Sequence, residues 1–305
     1  MASVVCAGHV NWDVTLRLDR LPDADSESRI RDQRAGGGGS AANVAATLAG
    51  LSVPAGVVGA TGDDEHGHLA RRELVAAGVD TGHLLAVEGA ATTVKYLLVD
   101  GDGEVAVLGN VGANEALGPE DVDPGYVRAA DHLHLTSQRP ATAARLAAVA
   151  SEAGVGVSFD PGRRLADRDF DATVERADVV FVNDREAEAL LAEAPTPPGG
   201  ERTVVVKHGD RGAEVRTAEG DYVHPGFDVD PVDTTGAGDA FAAGFIATRL
   251  EGGDHERALE FANACGALAA RGEGARSVPD REAVERFLQG RYGDDASGAP
   301  EGREP

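Results

Sequence analysis

Short apolar runs rich in valine recur along the chain: VVCAGHV at 4–10, GVVGAT at 56–61, HLHLT at 132–136, VGVSFD at 155–160, VVFVN at 179–183 and TVVVKHG at 203–209. Their length and near-continuous apolar character predict strands covered on both faces. Stretches between them, such as 139–153, space alanine, leucine and valine as a helix does. Strands alternating with helices imply crossover connections and a mainly parallel sheet. Residues 13–19, 93–99 and 104–108 instead alternate apolar and polar positions, as half-exposed strands do. They predict a small β-lid, from about 13–35 and 88–112, on a single domain spanning 1–291. The polar, Gly- and Pro-rich residues 292–305 are expected to form a disordered acidic tail.

Composition narrows the class. Of 305 residues, 42% are hydrophobic but only 4% aromatic, so Val, Ala and Leu must fill the core. No apolar stretch has the length of a membrane span and no signal peptide is visible, which points to a cytoplasmic protein. Cys6 and Cys265 give neither a disulfide framework nor a metal spacing. The net charge is −24, and Lys95 and Lys207 are the only lysines. Such a surface repels itself at low salt, whereas molar salt shortens the Debye length to about 3 Å. The pattern suits a salt-filled, haloarchaeal type of cytoplasm and argues against nucleic acid as a partner.

Two segments carry chemistry. In PVDTTGAGDAFAAGF, 231–245, a run of small residues enters a helix. The amides of Gly236, Ala237 and Gly238 would face outward at the positive end of that helix, an anion site suited to a transferring phosphoryl group. Asp239 in the first turn could take a proton from an attacking hydroxyl. In GGGGSAANVAA, 36–46, Ser40 is a candidate N-cap for a helix running to about Gly50. Gly38 and Gly39 would let a ligand lie against backbone, and Asn43 could hold hydroxyls. Taken singly, a capped helix or a glycine hinge explains either segment as well.

Together, in this order and roughly 195 residues apart, the two segments resemble the N- and C-terminal signatures of the PfkB, or ribokinase-like, family of carbohydrate kinases. Gly62, Asp64 and Gly67 resemble its G-x-D-x-x-G turn, and Asn183 with Glu186 its N-x-x-E motif. The resemblance implies a three-layer α/β/α fold with a β-lid and an ATP-dependent kinase acting on a sugar hydroxyl. It implies that Asp239 is the base and that Gly236, Ala237 and Gly238 form the anion hole. Asp13, Gly38, Gly39 and Asn43 would bind the sugar. Asn183, Lys207, Gly209, Gly212 and Asn263 would attend ATP, with Glu186 and Asn183 holding Mg²⁺ through water. K⁺ is carried as an open candidate, and the lid implies a homodimer.

No GK[ST] occurs, which excludes a Walker-type nucleotide site, and GDGEVA at 101–106 links two lid strands, unlike a dinucleotide fingerprint. The pairs His66/His68 and His132/His134 lack a third ligand cluster. GGSAAN, without the lysine of GGKGAN, favours a ribose-containing acceptor by resemblance. Arg139, Arg164 and Lys95 are candidates for reading an acidic substituent; if they converge, ribose 1-phosphate phosphorylated on its 5-hydroxyl is the alternative, alongside a nucleoside. A non-catalytic sugar or nucleotide sensor on the same fold stays open, as does ADP in place of ATP.

Overall fold

The computed structural model describes residues 2–102, 104–193, 202–277 and 279–296. In chain order the strands are β1 Val4–Ala7, β2 Asn11–Leu18, β3 Ile30–Gly38, β4 Ala55–Gly62, β5 Leu84–Val87, β6 Val94–Val99, β7 Val105–Gly109, β8 His132–Thr136, β9 Gly156–Asp160, β10 Val179–Asn183, β11 Thr203–Lys207, β12 Ala213–Arg216 and β13 Asp221–His224. The helices are α1 Ser40–Gly50, α2 Glu65–Ala76, α3 Pro124–Arg128, α4 Pro140–Glu152, α5 Asp171–Val174, α6 Asp184–Glu193, α7 Ala237–Leu250, α8 His255–Ala270 and α9 Arg281–Ala296. Helix α9 runs into the stretch expected as a tail; residues 297–305 lie outside the described residues.

Among the described residues the strands form two sheets. The large one has the order β13-β12-β11-β10-β9-β8-β1-β4-β5, parallel from β11 to β5, with β12 and β13 antiparallel at one edge. The period-2 alternation of strands divides its side chains between two cores. Val4, Cys6, Phe181 and Val205 meet α1, α7 and α8 on one face, while Val5, Ala7, Val180, Val182 and Val204 pack towards α4 on the other. Helix, sheet and helix thus make three layers.

Phe245 on α7 is fully buried and packs edge-on against Phe181, ring centroids 5.5 Å apart. Phe245→Ala is expected to cost about 3–5 kcal/mol through lost burial and a residual cavity. Urea unfolding in molar KCl would measure it, and a loss below about 1 kcal/mol would contradict this packing account.

The small sheet, ordered β3-β2-β6-β7, is the lid. Asp13 lies opposite both Gly36 on β3 and Lys95 on β6, so Asp13 and Lys95 share one face of it. Its root is tied down by Asp64, which caps α2 through the Gly67 amide at 2.9 Å and accepts from the Thr92 amide at 2.9 Å. Among the described residues no helix is long and apolar enough to cross a membrane.

Candidate active site

Because β9, β10 and β11 are parallel, Asp160, Asn183 and Lys207, their last residues, share one edge of the sheet. Ligands in open α/β sheets bind at this edge. Helix α7 starts beside it. Gly236 is its N-cap with φ +81°, and a Cβ there would fall 2.3 Å from the Ala275 carbonyl oxygen. The Ala237 amide, expected to face outward, closes the turn onto the Thr234 carbonyl at 3.2 Å. The open end of the helix therefore rests mainly on the Gly236 and Gly238 amides.

Asp239 lies in the first turn of α7, partly buried at the floor of the cleft. Asn43, which α1 brings across 196 residues of sequence, donates its Nδ2 to Asp239 Oδ2 at 2.8 Å. Burial pushes the Asp239 carboxyl up to about 6; Asn43 opposes this, Asp160 adds to it, and Lys207 and the Ser40 hydroxyl oppose it. Ser40 is thus the first residue of α1 and not its cap. Gly39 occupies the cap position, which leaves the Ser40 hydroxyl to interact with Asp239. Lys207 Nζ lies 2.6 Å from Asp160 Oδ2 and 6.0 Å from the centre of the Phe181 ring. Burial alone would depress the Lys207 pKa, but Asp160, then Asp239 and Glu186, outweigh it and hold the pKa above its ordinary value.

Next to this, Lys207, Gly209, Gly212, Gly238 and Asn263 line a cavity of about 660 Å³, a volume in the range of a small-molecule site. Asn263 donates to the Leu259 carbonyl within its own helix. Asn183 and Glu186 close on each other: Asn183 Nδ2 donates to Glu186 Oε1 at 2.8 Å, and the Glu186 amide donates to Asn183 Oδ1 at 3.0 Å. The N-x-x-E motif is therefore also the capping box that starts α6. Burial, together with the nearby Asp160 charge, raises the Glu186 pKa against its Asn183 hydrogen bonds and Lys207.

At the other end of the cleft, Asp13 packs over Gly38, where a Cβ would meet its Oδ2 at 2.0 Å; only glycine leaves that room. Four buried polar atoms on neighbouring segments have no protein partner: His9 Nε2, Asn11 Nδ2, Asp13 Oδ1 and Asn43 Oδ1. Buried polar groups are rarely left unpaired, so these atoms point to a polar ligand. Burial raises the Asp13 pKa, while Lys95 and Arg276 oppose that. Arg276, in the loop beneath the Gly236 turn, donates Nη2 to the Gly38 carbonyl at 3.2 Å and lies 3.3 Å from Glu73.

Of the candidate cations, Lys95 and Arg164 act on His9. Arg139 is exposed at the start of α4. Sequence reasoning missed Arg168, which does act on His9, and Glu115, Asp160 and Arg276. Asp160 had a signal, since it closes a buried strand; the other three sit in loops without motif or periodicity.

A three-layer fold with a catalytic-type aspartate at a helix N-terminus, facing a cavity and a polar cleft, defines a sugar-kinase architecture. Residues 1–281 match the model of the pfkB family of carbohydrate kinases, and the chain belongs to that family. It is 64% identical over 295 residues, 96% of this chain and all of the relative, to an ATP-dependent ribose-1-phosphate kinase of Halopiger xanaduensis. Arabidopsis thaliana ribokinase, solved with ribose and ATP, superposes with a TM-score of 0.85 at 28% identity, covering 95% of this chain and 99% of that one. An E. coli protein described as ribokinase II, solved with ATP and Mg²⁺, gives 0.81 at 25% identity over 95% and 99%. The chain is an ATP-dependent carbohydrate kinase, a phosphotransferase with an alcohol acceptor.

Proposed function

We propose that the chain transfers the γ-phosphoryl group of ATP to the 5-hydroxyl of ribose 1-phosphate, with Asp239 as general base. The observation that carries the substrate is the 64% identity, across the relative's whole length, to a ribose-1-phosphate kinase. The geometry supports the chemistry. Asp239, with a carboxyl pKa near 6, is ionised at neutral pH yet basic enough to take the hydroxyl proton. The Gly236 and Gly238 amides lie where charge develops on the transferring group, so catalysis rests on positioning and fixed dipoles. The 660 Å³ cavity lined by Gly209, Gly212 and Asn263 takes the nucleotide, and Asp13, Gly39 and Asn43 hold the sugar. Lid closure over the sugar would exclude water and limit ATP hydrolysis.

Asp160, Glu186 and Asp239 act electrostatically on Lys207, an oxygen-rich, net negative neighbourhood that suits Mg²⁺. Glu186 and Asn183 would hold Mg²⁺ through water, and the ion would supply charge neutralisation at the nucleotide phosphates. Tyr96 and Leu108 stay exposed on one face of the lid and Val105 and Val107 on the face that carries Lys95, and a second copy of the chain would cover part of this apolar surface. Light scattering in molar KCl that returned a monomer mass would overturn this. The net charge of −24 supports a cytoplasm of high salt.

The test is ADP release in about 2–3 M KCl, where charges are screened to a few Å. Acceptors are ribose 1-phosphate, ribose, fructose, a keto-deoxy sugar acid and nucleosides, and a parallel series replaces KCl with NaCl. Ribose 1-phosphate is expected to give the highest kcat/KM; preference for a neutral sugar or nucleoside would overturn the substrate.

A further inference from the structure

Arg164 and Arg168 come from one loop, the short helical segment Gly162–Asp167 and the residue after it, which follows the C-terminal end of β9. Both guanidinium groups meet the same carboxylate oxygen: Arg164 Nη1 lies 2.6 Å and Arg168 Nη2 2.8 Å from Glu115 Oε1. Arg168 Nη1 also donates to the Gln138 carbonyl at 3.1 Å, which fixes its plane. Glu115 is itself held in place by its neighbour. Asn114 Oδ1 accepts from the Val10 amide at 3.0 Å, and Asn114 Nδ2 donates to Asn11 Oδ1, so the loop carrying Glu115 is pinned to the His9–Asn11 turn. From the lid, Lys95 approaches the same turn. Lys207 is engaged by Asp160, but Lys95 forms no ion pair among the described residues.

These cations share a neighbour. Burial pushes the His9 imidazole down to about 4, and Lys95, Arg164 and Arg168 add to that against Glu115. His9 is therefore neutral near pH 7, and its buried Nε2 has no protein partner. Three cations less Glu115 leave a charge of +2 around His9, with Lys95 also facing Asp13 beside Arg276. A phosphate monoester carries about −1.5 to −2 at neutral pH and presents three acceptor oxygens. Asp239 is held by Asn43 at the first turn of α7, whereas Arg164 and Arg168 gather on Glu115 in the loop after β9, so base and cationic group stand on separate elements, as a sugar phosphorylated at one end and reacting at the other requires.

We infer that Arg164, Arg168 and Lys95, with His9, form a clamp for the phosphate already on the substrate, and that Glu115 is a positioning residue holding the two arginines together. This rests on the ribose 1-phosphate reading above. The lid supplies Lys95, so the clamp is completed only when the lid lies over the substrate. A purely structural reading would make the Glu115 network a tie between two loops; such a tie does not discriminate between substrates.

The experiment measures KM for ribose 1-phosphate and for ATP, and competitive inhibition by inorganic phosphate, in wild type, Arg168→Met, Arg164→Met, Arg168→Lys and Glu115→Gln at one KCl concentration. Charged hydrogen bonds of this kind correspond to roughly 10- to 100-fold in affinity. Arg168→Met and Arg164→Met are expected to raise KM for ribose 1-phosphate by about that factor, with inhibition by phosphate weakened in parallel and KM for ATP changed less than about threefold. Arg168→Lys should recover part of the loss, and Glu115→Gln should raise KM for ribose 1-phosphate more than it lowers kcat. Equal increases in both KM values, or none, would overturn the clamp while leaving the substrate reading in place. A wild type inactive on ribose 1-phosphate would overturn the substrate reading, and the clamp with it.

Discussion

Asp239→Asn is expected to lower kcat by about 10²- to 10⁴-fold, the range that a lost general base gives. The folded protein should be retained, because the amide preserves the shape of the carboxylate and an oxygen for Asn43 Nδ2, now 2.8 Å from Asp239 Oδ2. What it removes is the capacity to accept a proton. A pH profile supplies an independent check. The active form is the carboxylate, present above its pKa and lost as pH falls through it. With that pKa raised to about 6 by burial, kcat/KM of the wild type should climb up to about pH 6 and level off above it. The residual rate of the variant should lack that inflection. A variant that kept wild-type turnover, or kept the inflection, would assign proton removal to another group.

Gly236→Ala is expected to lower kcat by about 10²- to 10³-fold, as loss of an oxyanion-type donor does. Two separate physical effects act there. Gly236 has φ +81°, where an L side chain costs about 1–2 kcal/mol. In addition, the new Cβ would sit 2.3 Å from the Ala275 carbonyl oxygen, a backbone atom that cannot rotate away. The turn must move, and the Gly236 and Gly238 amides move with it. Gly78→Ala separates the two effects: its φ is +84°, with nothing within 4 Å of the added Cβ. That control should lose a similar amount of stability in urea unfolding and keep its kcat. If both variants lost turnover equally, backbone strain and not the anion site would be responsible.

The parts of this molecule that could be read in its sequence share a physical cause. The six runs became β1, β4, β8, β9, β10 and β11 because a strand covered on both faces is largely apolar; HLHLT, the run without valine, buries His134 with its Nδ1 2.8 Å from Ser158 Oγ. β3 has no such signature. Its residues from Ile30 to Ala35 are exposed, four of them polar or charged, and it ends in glycines, so IRDQRAGGG has no strand alternation of its own; it falls within the expected lid only up to 35, although it runs on to Gly38 and sets the register of Asp13. β12 and β13 are four residues each at an edge, too short for alternation to stand out. In the site, Asp239 and Asn43 were legible because each sits in a stretch whose small residues serve one purpose. Arg168 and Arg276 were not, because loops fold back on distant partners, and nothing local marks which arginine turns inwards. Arg139 and Arg164 follow strands in the same way, yet among the described residues Arg164 alone of the two has a carboxylate partner, Glu115.

The placement of the two lysines has a practical corollary. Lys95 lies on the lid face beside Asp13, and Lys207 is engaged by Asp160 under the first turn of α7. Apart from the chain's α-amino group, a reagent that acylates primary amines therefore meets only side chains at the two ends of the cleft. Lys207, buried and held protonated, is the slower of the two to react. Most proteins can be dyed, biotinylated or fixed to an activated resin through scattered surface lysines with little loss of activity. Here mild acylation of side chains is instead expected to report on the candidate site, and tethering chemistry belongs on the abundant carboxylates.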